Sequence, residues 1–370
     1  MPAARCYTLN RATAGAHRWI ATEDSRHEEV SAMKLVTYVT SANAGRDEGR
    51  AAVLHGDQTL LDIETLGRWA ARSGAVLPQR GLPATMLELL RLGPEGMDGL
   101  RAALAVAATA REDDLRAESD LVLARGAVTL RTPLPNPPTL RDFYAFEQHV
   151  KAARALRNAD MIPEWYEIAV FYFSNTSALY GADEPVPYPG ASKELDFELE
   201  MAAVIGREGS DIRADDAPGY IAGYMVMNDW SARDLQRHEM KMNLGPAKGK
   251  DFATSLGPWL VTPDELADRR VGAGKDERYD LAMTGRINGD QLTSDNARNM
   301  YFSFPQMIER AAQHVRLRPG DVIGSGTCGT GCILELGTER HRWLQPGDVV
   351  ELEIERLGLL RNPIVAAKEG

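Results

Sequence analysis

Apolar and acidic residues alternate strictly along Leu195-Asp196-Phe197-Glu198-Leu199-Glu200-Met201. On a β-strand that period sends Asp196, Glu198 and Glu200 to one face and Leu195, Phe197, Leu199 and Met201 to the other. Neighbouring carboxylates then stand ~7 Å apart, at a rise of ~3.4 Å per residue. Like charges that close are unfavourable unless water screens them or a cation neutralises them. The stretch is therefore either a solvated acidic face or a hard-metal site.

Residues 1–32 are mixed and polar with no clear period, which predicts a disordered extension. The folded part is expected to open at Met33, with a strand over 33–39. Residues 51–63 predict two short strands around the Gly56-Asp57 turn, and 85–123 a helical region marked by Met86, Leu87, Leu89, Leu90, Leu100, Leu104 and Val106. Four prolines between Thr132 and Thr139 predict a linker into a second domain. The boundaries are thus 1–32 extension, 33–131 small N-terminal domain and 132–370 catalytic domain. Beyond Asp142 the chain is strand-rich, with candidates at 168–173, 195–205, 221–228, 257–261, 279–287, 321–325, 332–336 and 348–356. Asn288-Gly289 predicts a hairpin turn. Pro319-Gly320-Asp321 and Pro346-Gly347-Asp348 predict turns into strands. Ser303 with Gln306 forms a capping-box pattern, followed by a stripe of Phe304, Met307, Ile308, Ala311, Ala312 and Val315. This order suits a mixed α/β, predominantly β domain better than a wound βαβ sheet.

Composition narrows the class without choosing a function. The 370 residues are 44% apolar and 26% charged, as in soluble globular proteins. A formal charge of −11 argues against non-specific nucleic-acid binding. No apolar run approaches the ~18 residues of a membrane span. Three cysteines are too few for a disulfide framework, and a reducing cytoplasm is the expected compartment. Cys328 and Cys332 have the wrong spacing for a zinc pair and read as small buried residues.

The acidic stretch has candidate partners. Asp142 follows the proline segment, within Arg141-Asp142-Phe143-Tyr144-Ala145-Phe146-Glu147-Gln148-His149. Asp229 ends an apolar strand; taken alone it is as well explained as a turn or cap carboxylate. Ser231 with Asp234 predicts a helix start, with Arg233, Gln236 and Arg237 on one face. Taken alone, His149 reads as a packed or surface histidine, and Lys250 in its glycine-rich loop as a surface lysine. If Asp142, Glu198, Glu200 and Asp229 converge, they form an all-oxygen site that selects Mg²⁺, Mn²⁺ or Ca²⁺ over zinc or copper. Such an ion suits substrates that chelate through two oxygens.

In combination these motifs resemble the fumarylacetoacetate hydrolase family over about residues 132–365. The resemblance rests on Asp142-Phe143-Tyr144 with His149, the Leu195–Met201 stretch, Met227-Asn228-Asp229-Trp230-Ser231-Ala232-Arg233-Asp234, Gly249-Lys250-Asp251-Phe252, Gly326-Thr327 and Leu334-Glu335-Leu336. It implies a mixed β-roll or β-sandwich catalytic domain behind a small β-rich N-terminal domain, assembled as a homodimer. It also implies site roles. Asp142, Glu198, Glu200 and Asp229 would hold a divalent metal, Mg²⁺ first, with Mn²⁺ or Ca²⁺ as alternatives. His149 paired with Glu335 would be the general base. Arg233, Gln236 and Lys250 would stabilise the oxyanion and the leaving carbanion. Tyr144, Tyr172 and Thr327 would contact substrate, a small oxo acid. Asp196 matches no ligand and is expected behind the ligands or facing solvent. The implied reaction is C–C hydrolysis of a 2,4-dioxo or acylpyruvate-type acid, with a 2-oxo acid decarboxylase, hydratase or tautomerase as the alternative and a non-catalytic binding protein as a third. Arg154 and Arg157 are both candidates for a substrate arginine, and Phe173-Ser174-Asn175-Thr176 departs from the animal hydrolases at the substrate end.

Overall fold

The computed structural model describes residues 33–41, 48–156 and 158–367; the expected extension over 1–32, and Arg157, lie outside the described residues. The central feature is a 12-stranded sheet. Its path runs Val122–Ala124, Thr59–Asp62, Arg50–His55, Lys34–Val39, Thr254–Val261, Ile221–Asp229, Leu199–Ile205, Val322–Gly324, Leu140–Phe143 and Phe171–Ser174. Most pairs are antiparallel; Val322–Gly324 and Leu140–Phe143 run parallel. Strands from 33–131 therefore continue the sheet that carries the acidic stretch, through Lys34–Val39 against Thr254–Val261.

A second, five-stranded sheet holds Asp290–Asn296, Ala282–Ile287, Val349–Ile354, Gly358–Val365 and Val186–Pro187. Its Met283, Leu352 and Leu360 share one core with Leu199, Met201 and Val226 of the first sheet. The other face of the first sheet, with Ala202, Val204 and Met227, packs on Leu66, Leu89 and Leu100 of the N-terminal helices. The fold is thus mixed and strand-rich, two packed sheets with helices outside, as expected. Among the described residues no helix is long and apolar enough to cross a membrane.

Local expectations met different fates. Ser303 caps the helix Phe304–Ala312 with a complete capping box, and Phe304, Met307, Ile308, Ala311 and Ala312 are buried; Val315 lies past the helix end and is exposed. Asn288 and Gly289 both take positive φ at the expected hairpin turn. The helix Ile63–Arg72 was not anticipated, although Asp62 accepts from the Thr65 amide as its cap. Residues 332–336 are not a strand: Ile333–Leu336 is a short helix. Ser231 is not a cap either. It pairs with Asp196 in a two-stranded ladder, and the next helix, Arg233–Glu239, starts two residues later without a side-chain cap.

Candidate active site

The acidic stretch is two short strands separated by a break. Leu195–Asp196 pairs with Ser231–Ala232, and Leu199–Ile205 pairs with Ile221–Asp229. The break has a side-chain cause. Asp196 Oδ1 accepts from the Phe197 amide (2.9 Å), and Asn228 Oδ1 accepts from the Glu198 amide (2.9 Å), so neither N–H is left for a strand partner. All three acids are buried: Asp196 and Glu200 at 0% exposure, Glu198 at 5%. The solvated-face reading is excluded.

Asp142, Glu198, Glu200 and Asp229 each offer a carboxylate oxygen within a 4.8 Å cluster. Asp142 comes from Leu140–Phe143, Glu200 from the start of Leu199–Ile205 and Asp229 from the end of Ile221–Asp229. The Gly326 amide donates to Asp142 (3.2 Å) and Glu200 (3.0 Å). A Cβ at Gly324 would fall 2.7 Å from Asp142 Oδ1, so a side chain there would displace the carboxylate from the cluster.

Cations sit unevenly around the cluster. The Lys250 ammonium donates to Glu198 and Asp229, both at 2.5 Å. Burial raises the Glu198 pKa, but Lys250, Arg233 and His149 outweigh it and bring the group to about 2. Burial also raises Asp142 and Glu200 well above the usual carboxylate range, with neighbouring carboxylates adding to the rise. Asp229 is raised by burial against the pull of Lys250. Glu200 Oε1 and Asp229 Oδ1 are buried without a hydrogen-bond partner. Among the described residues Asp142 and Glu200 have no ion-pair partner, and these two carboxyls with two unsatisfied oxygens fit a hard divalent ion.

Arg233 is fully engaged. Nε donates to Asp196 (2.9 Å) and Nη1 to Gln236 (3.1 Å). Nη2 lies 2.8 Å from both Asp196 and Glu198, at ion-pair distance though off the hydrogen-bond direction. Asp196 also accepts from the Ile333 (2.7 Å) and Leu334 (3.0 Å) amides. It does not face solvent; it ties Arg233 to the helix that carries Glu335. No local pattern signalled this, because the amides it holds are over a hundred residues away.

His149, on the helix Glu147–Ala155, places Nδ1 2.9 Å from Glu335 Oε2. Both side chains are 6% exposed. The Tyr144 ring stands edge-on to the imidazole at 5.6 Å. Tyr172 donates to Asp229 (2.5 Å), so its hydroxyl faces the cluster, and burial first, then Asp229, raises its pKa. Thr327 is buried in the loop after Val322–Gly324. Arg154, on the same helix as His149, donates to the carbonyl of Asp160 in the loop that follows. Cys328 and Cys332 are free, buried thiols, as read from the sequence.

Residues 139–365 match the family model described as fumarylacetoacetate (FAA) hydrolase, C-terminal. The chain is 32% identical over 290 residues to oxaloacetate tautomerase Fahd2a, mitochondrial, of Rattus norvegicus, covering 77% of this chain and 80% of that one. It is 34% identical over 242 residues to fumarylacetoacetase of Arabidopsis thaliana, covering 53% and 57%. Among solved structures, maleylpyruvate hydrolase from Sphingobium sp. SYK-6, in complex with manganese(II) and pyruvate, superposes with a TM-score of 0.60 at 24% identity, covering 91% of this chain and 100% of that one.

Proposed function

The chain belongs to the fumarylacetoacetate hydrolase family, and on that premise we propose a metal-dependent hydrolase that cleaves a C–C bond in an acylpyruvate-type acid. The observation that carries the reading is the His149–Glu335 pair standing next to four clustered carboxylates. Asp142, Glu198, Glu200 and Asp229 would hold the ion, with Mg²⁺ preferred over Mn²⁺ or Ca²⁺. When bound, the ion supplies Lewis acidity toward a chelated dicarbonyl.

The chain's own residues do the rest. Glu335 fixes His149 through Nδ1 and leaves Nε2 to take a proton from water. The resulting hydroxide adds to the distal carbonyl. Lys250 uses two of its three N–H groups on Glu198 and Asp229, and the third is free for the developing oxyanion. Gln236 keeps its amide N–H₂ for the same purpose, since Arg233 takes only its oxygen. Such a donor is worth about 2.7–4 kcal/mol in other enzymes. Collapse breaks the C–C bond, its electron pair passes to the departing enolate, and His149 returns the proton to carbon. Arg233 acts by holding Glu198. Tyr144 and Thr327 would line the substrate, and Tyr172 would hold Asp229.

A second reading keeps site and ion but changes the reaction to tautomerisation of a 2-oxo acid. It is favoured by the relatives named oxaloacetate tautomerase. A panel of acylpyruvates and oxaloacetate with Mg²⁺ or Mn²⁺, followed by loss of enol absorbance with product identification, separates the two. Two carboxylic acid products from an acylpyruvate support hydrolysis; a keto form alone supports tautomerisation. A homodimer in the cytoplasm is the assembly and compartment we propose, although several relatives carry "mitochondrial" in their names; light scattering tests the first and fractionation the second.

A further inference from the structure

Cys332 is a feature the proposed reaction does not use. Its Sγ, a ring nitrogen of His149 and a carboxylate oxygen of Glu335 all lie within 4.8 Å of one another. Cys332 is fully buried, and the other two side chains are 6% exposed. The donor set differs in kind from the neighbouring cluster. Four carboxylates suit a hard ion, whereas one imidazole, one thiol and one carboxylate suit zinc, with a fourth position left open. Burial first, and then Asp196 and Glu198 against the opposing Arg233, hold the Cys332 thiol well above its usual pKa, so a metal has to displace the proton to bind there.

We propose that His149, Cys332 and Glu335 form a second metal site, specific for zinc and similar thiophilic divalent ions, whose occupation switches the enzyme off. Binding replaces the thiol proton, which leaves to buffer, by a metal–sulfur bond; the imidazole and carboxylate contribute lone pairs. A histidine that donates its lone pair to zinc cannot accept a proton from water. Zinc therefore inhibits at a site separate from the Mg²⁺ ligands, and excess Mg²⁺ does not relieve it. The inhibitory half of this proposal rests on His149 being the base; the binding half does not.

The test has two arms. In the first, cobalt(II) is titrated into protein saturated with Mg²⁺, and the thiolate-to-cobalt charge-transfer absorption is followed. The band is expected in the wild type and in Cys328→Ser, and lost in Cys332→Ser, with Cys332→Ala as a second variant should the serine protein unfold. In the second, zinc inhibition is measured in Mg²⁺ excess, each variant against its own zinc-free rate. Cys332→Ser is expected to raise the half-inhibiting zinc concentration roughly tenfold or more. No cobalt–thiolate band in folded protein, or a band that survives loss of Cys332, overturns the site. Inhibition that Mg²⁺ relieves equally in wild type and variant overturns the switch. Should no substrate in the panel turn over, the cobalt arm still decides the site, so failure of the reaction and failure of the inference stay distinct.

Discussion

The carboxylate cluster and the His149–Glu335 pair are close enough for His149 to lower the Glu198 pKa, yet they stand on different supports. Glu200 and Asp229 come from neighbouring strands of the large sheet and Asp142 from a strand one place beyond, past Val322–Gly324, and every residue of Leu140–Phe143, Leu199–Ile205 and Ile221–Asp229 is buried. His149 sits on a nine-residue helix and Glu335 on a four-residue one. Sheet geometry fixes three of the ligands through the hydrogen-bond ladder. The Glu335 helix depends on a side-chain tie from Asp196, and Glu335 in turn holds His149. One half of the site inherits its precision from the fold, and the other half must be held in place.

The sharpest way to break this comparison is to disable one half at a time. Glu200→Gln is expected to abolish measurable Mg²⁺ affinity, and turnover with it, because a buried ligand charge is removed. His149→Ala is expected to lower turnover by roughly 10²–10⁴ while Mg²⁺ affinity stays near wild type. Calorimetric titration and steady-state rates on the same preparations check both. Lost metal affinity in His149→Ala, with turnover preserved, would overturn the assignment of the base.

Asp196→Asn cuts the tie between the halves. The substitution keeps shape but removes the charge that Arg233 faces. It leaves one carbonyl oxygen for the Ile333 and Leu334 amides. Breaking a buried pair costs about 3–5 kcal/mol, so urea unfolding should register a loss of that order. Mg²⁺ affinity should fall because Glu198 loses its oriented arginine. Turnover at saturating Mg²⁺ should fall as well, because Glu335 loses the cap on its helix. A variant whose turnover per metal-loaded molecule is unchanged would show that the dyad is held by something else.

The same contrast governs how much was legible in the sequence. The period-two alternation at 195–201 singled out Glu198 and Glu200, whose carboxylates the fold brings into one cluster with Asp142 and Asp229. What it missed was the break at 197–198. That break is set by Asp196 on the Phe197 amide together with Asn228, thirty residues away in sequence, on the Glu198 amide. The strand expected over 332–336 failed for a related reason. Ile333–Leu336 has no side-chain cap of its own at Cys332, and the amides at its start are held by Asp196. Ser231 was misread because a cap pattern and a strand partner look alike locally; Asp234 turns instead to Ser192 and the Lys193 amide. Where the determinants are local, as in the Ser303 box, sequence and structure agree.

Ser303 supplies a control for the comparison. Ser303→Ala removes the acceptor for the Gln306 amide and should cost about 1 kcal/mol of stability. Its helix carries no site residue, so Mg²⁺ affinity and turnover at 25 °C should both match wild type. A selective fall in either would mean that general loosening, rather than the ties described, separates the two halves.

The smallest expected effect concerns the far end of the segment that carries Glu335. That segment returns to the sheet through Leu344, whose amide donates to the Leu195 carbonyl, and through Asp348, which accepts from Arg342, Asn288 and the Gln345 amide. Burial raises the Asp348 pKa, but Arg342 and the other donors outweigh it and hold the carboxyl at about 2. A depressed carboxylate stabilises the fold fully above its unfolded value near 4 and loses that contribution as pH falls toward 2. Arg342 is more than half exposed, so water screens the pair. Arg342→Ala should therefore cost no more than about 1 kcal/mol at pH 7. The gap to wild type in urea unfolding should narrow steadily between pH 4 and pH 2. Turnover should stay at the wild-type level, because the Asp196 tie remains. A fall in turnover comparable to that of Asp196→Asn would mean that the dyad half is held from both ends of the segment, and that its support is as distributed as that of the sheet.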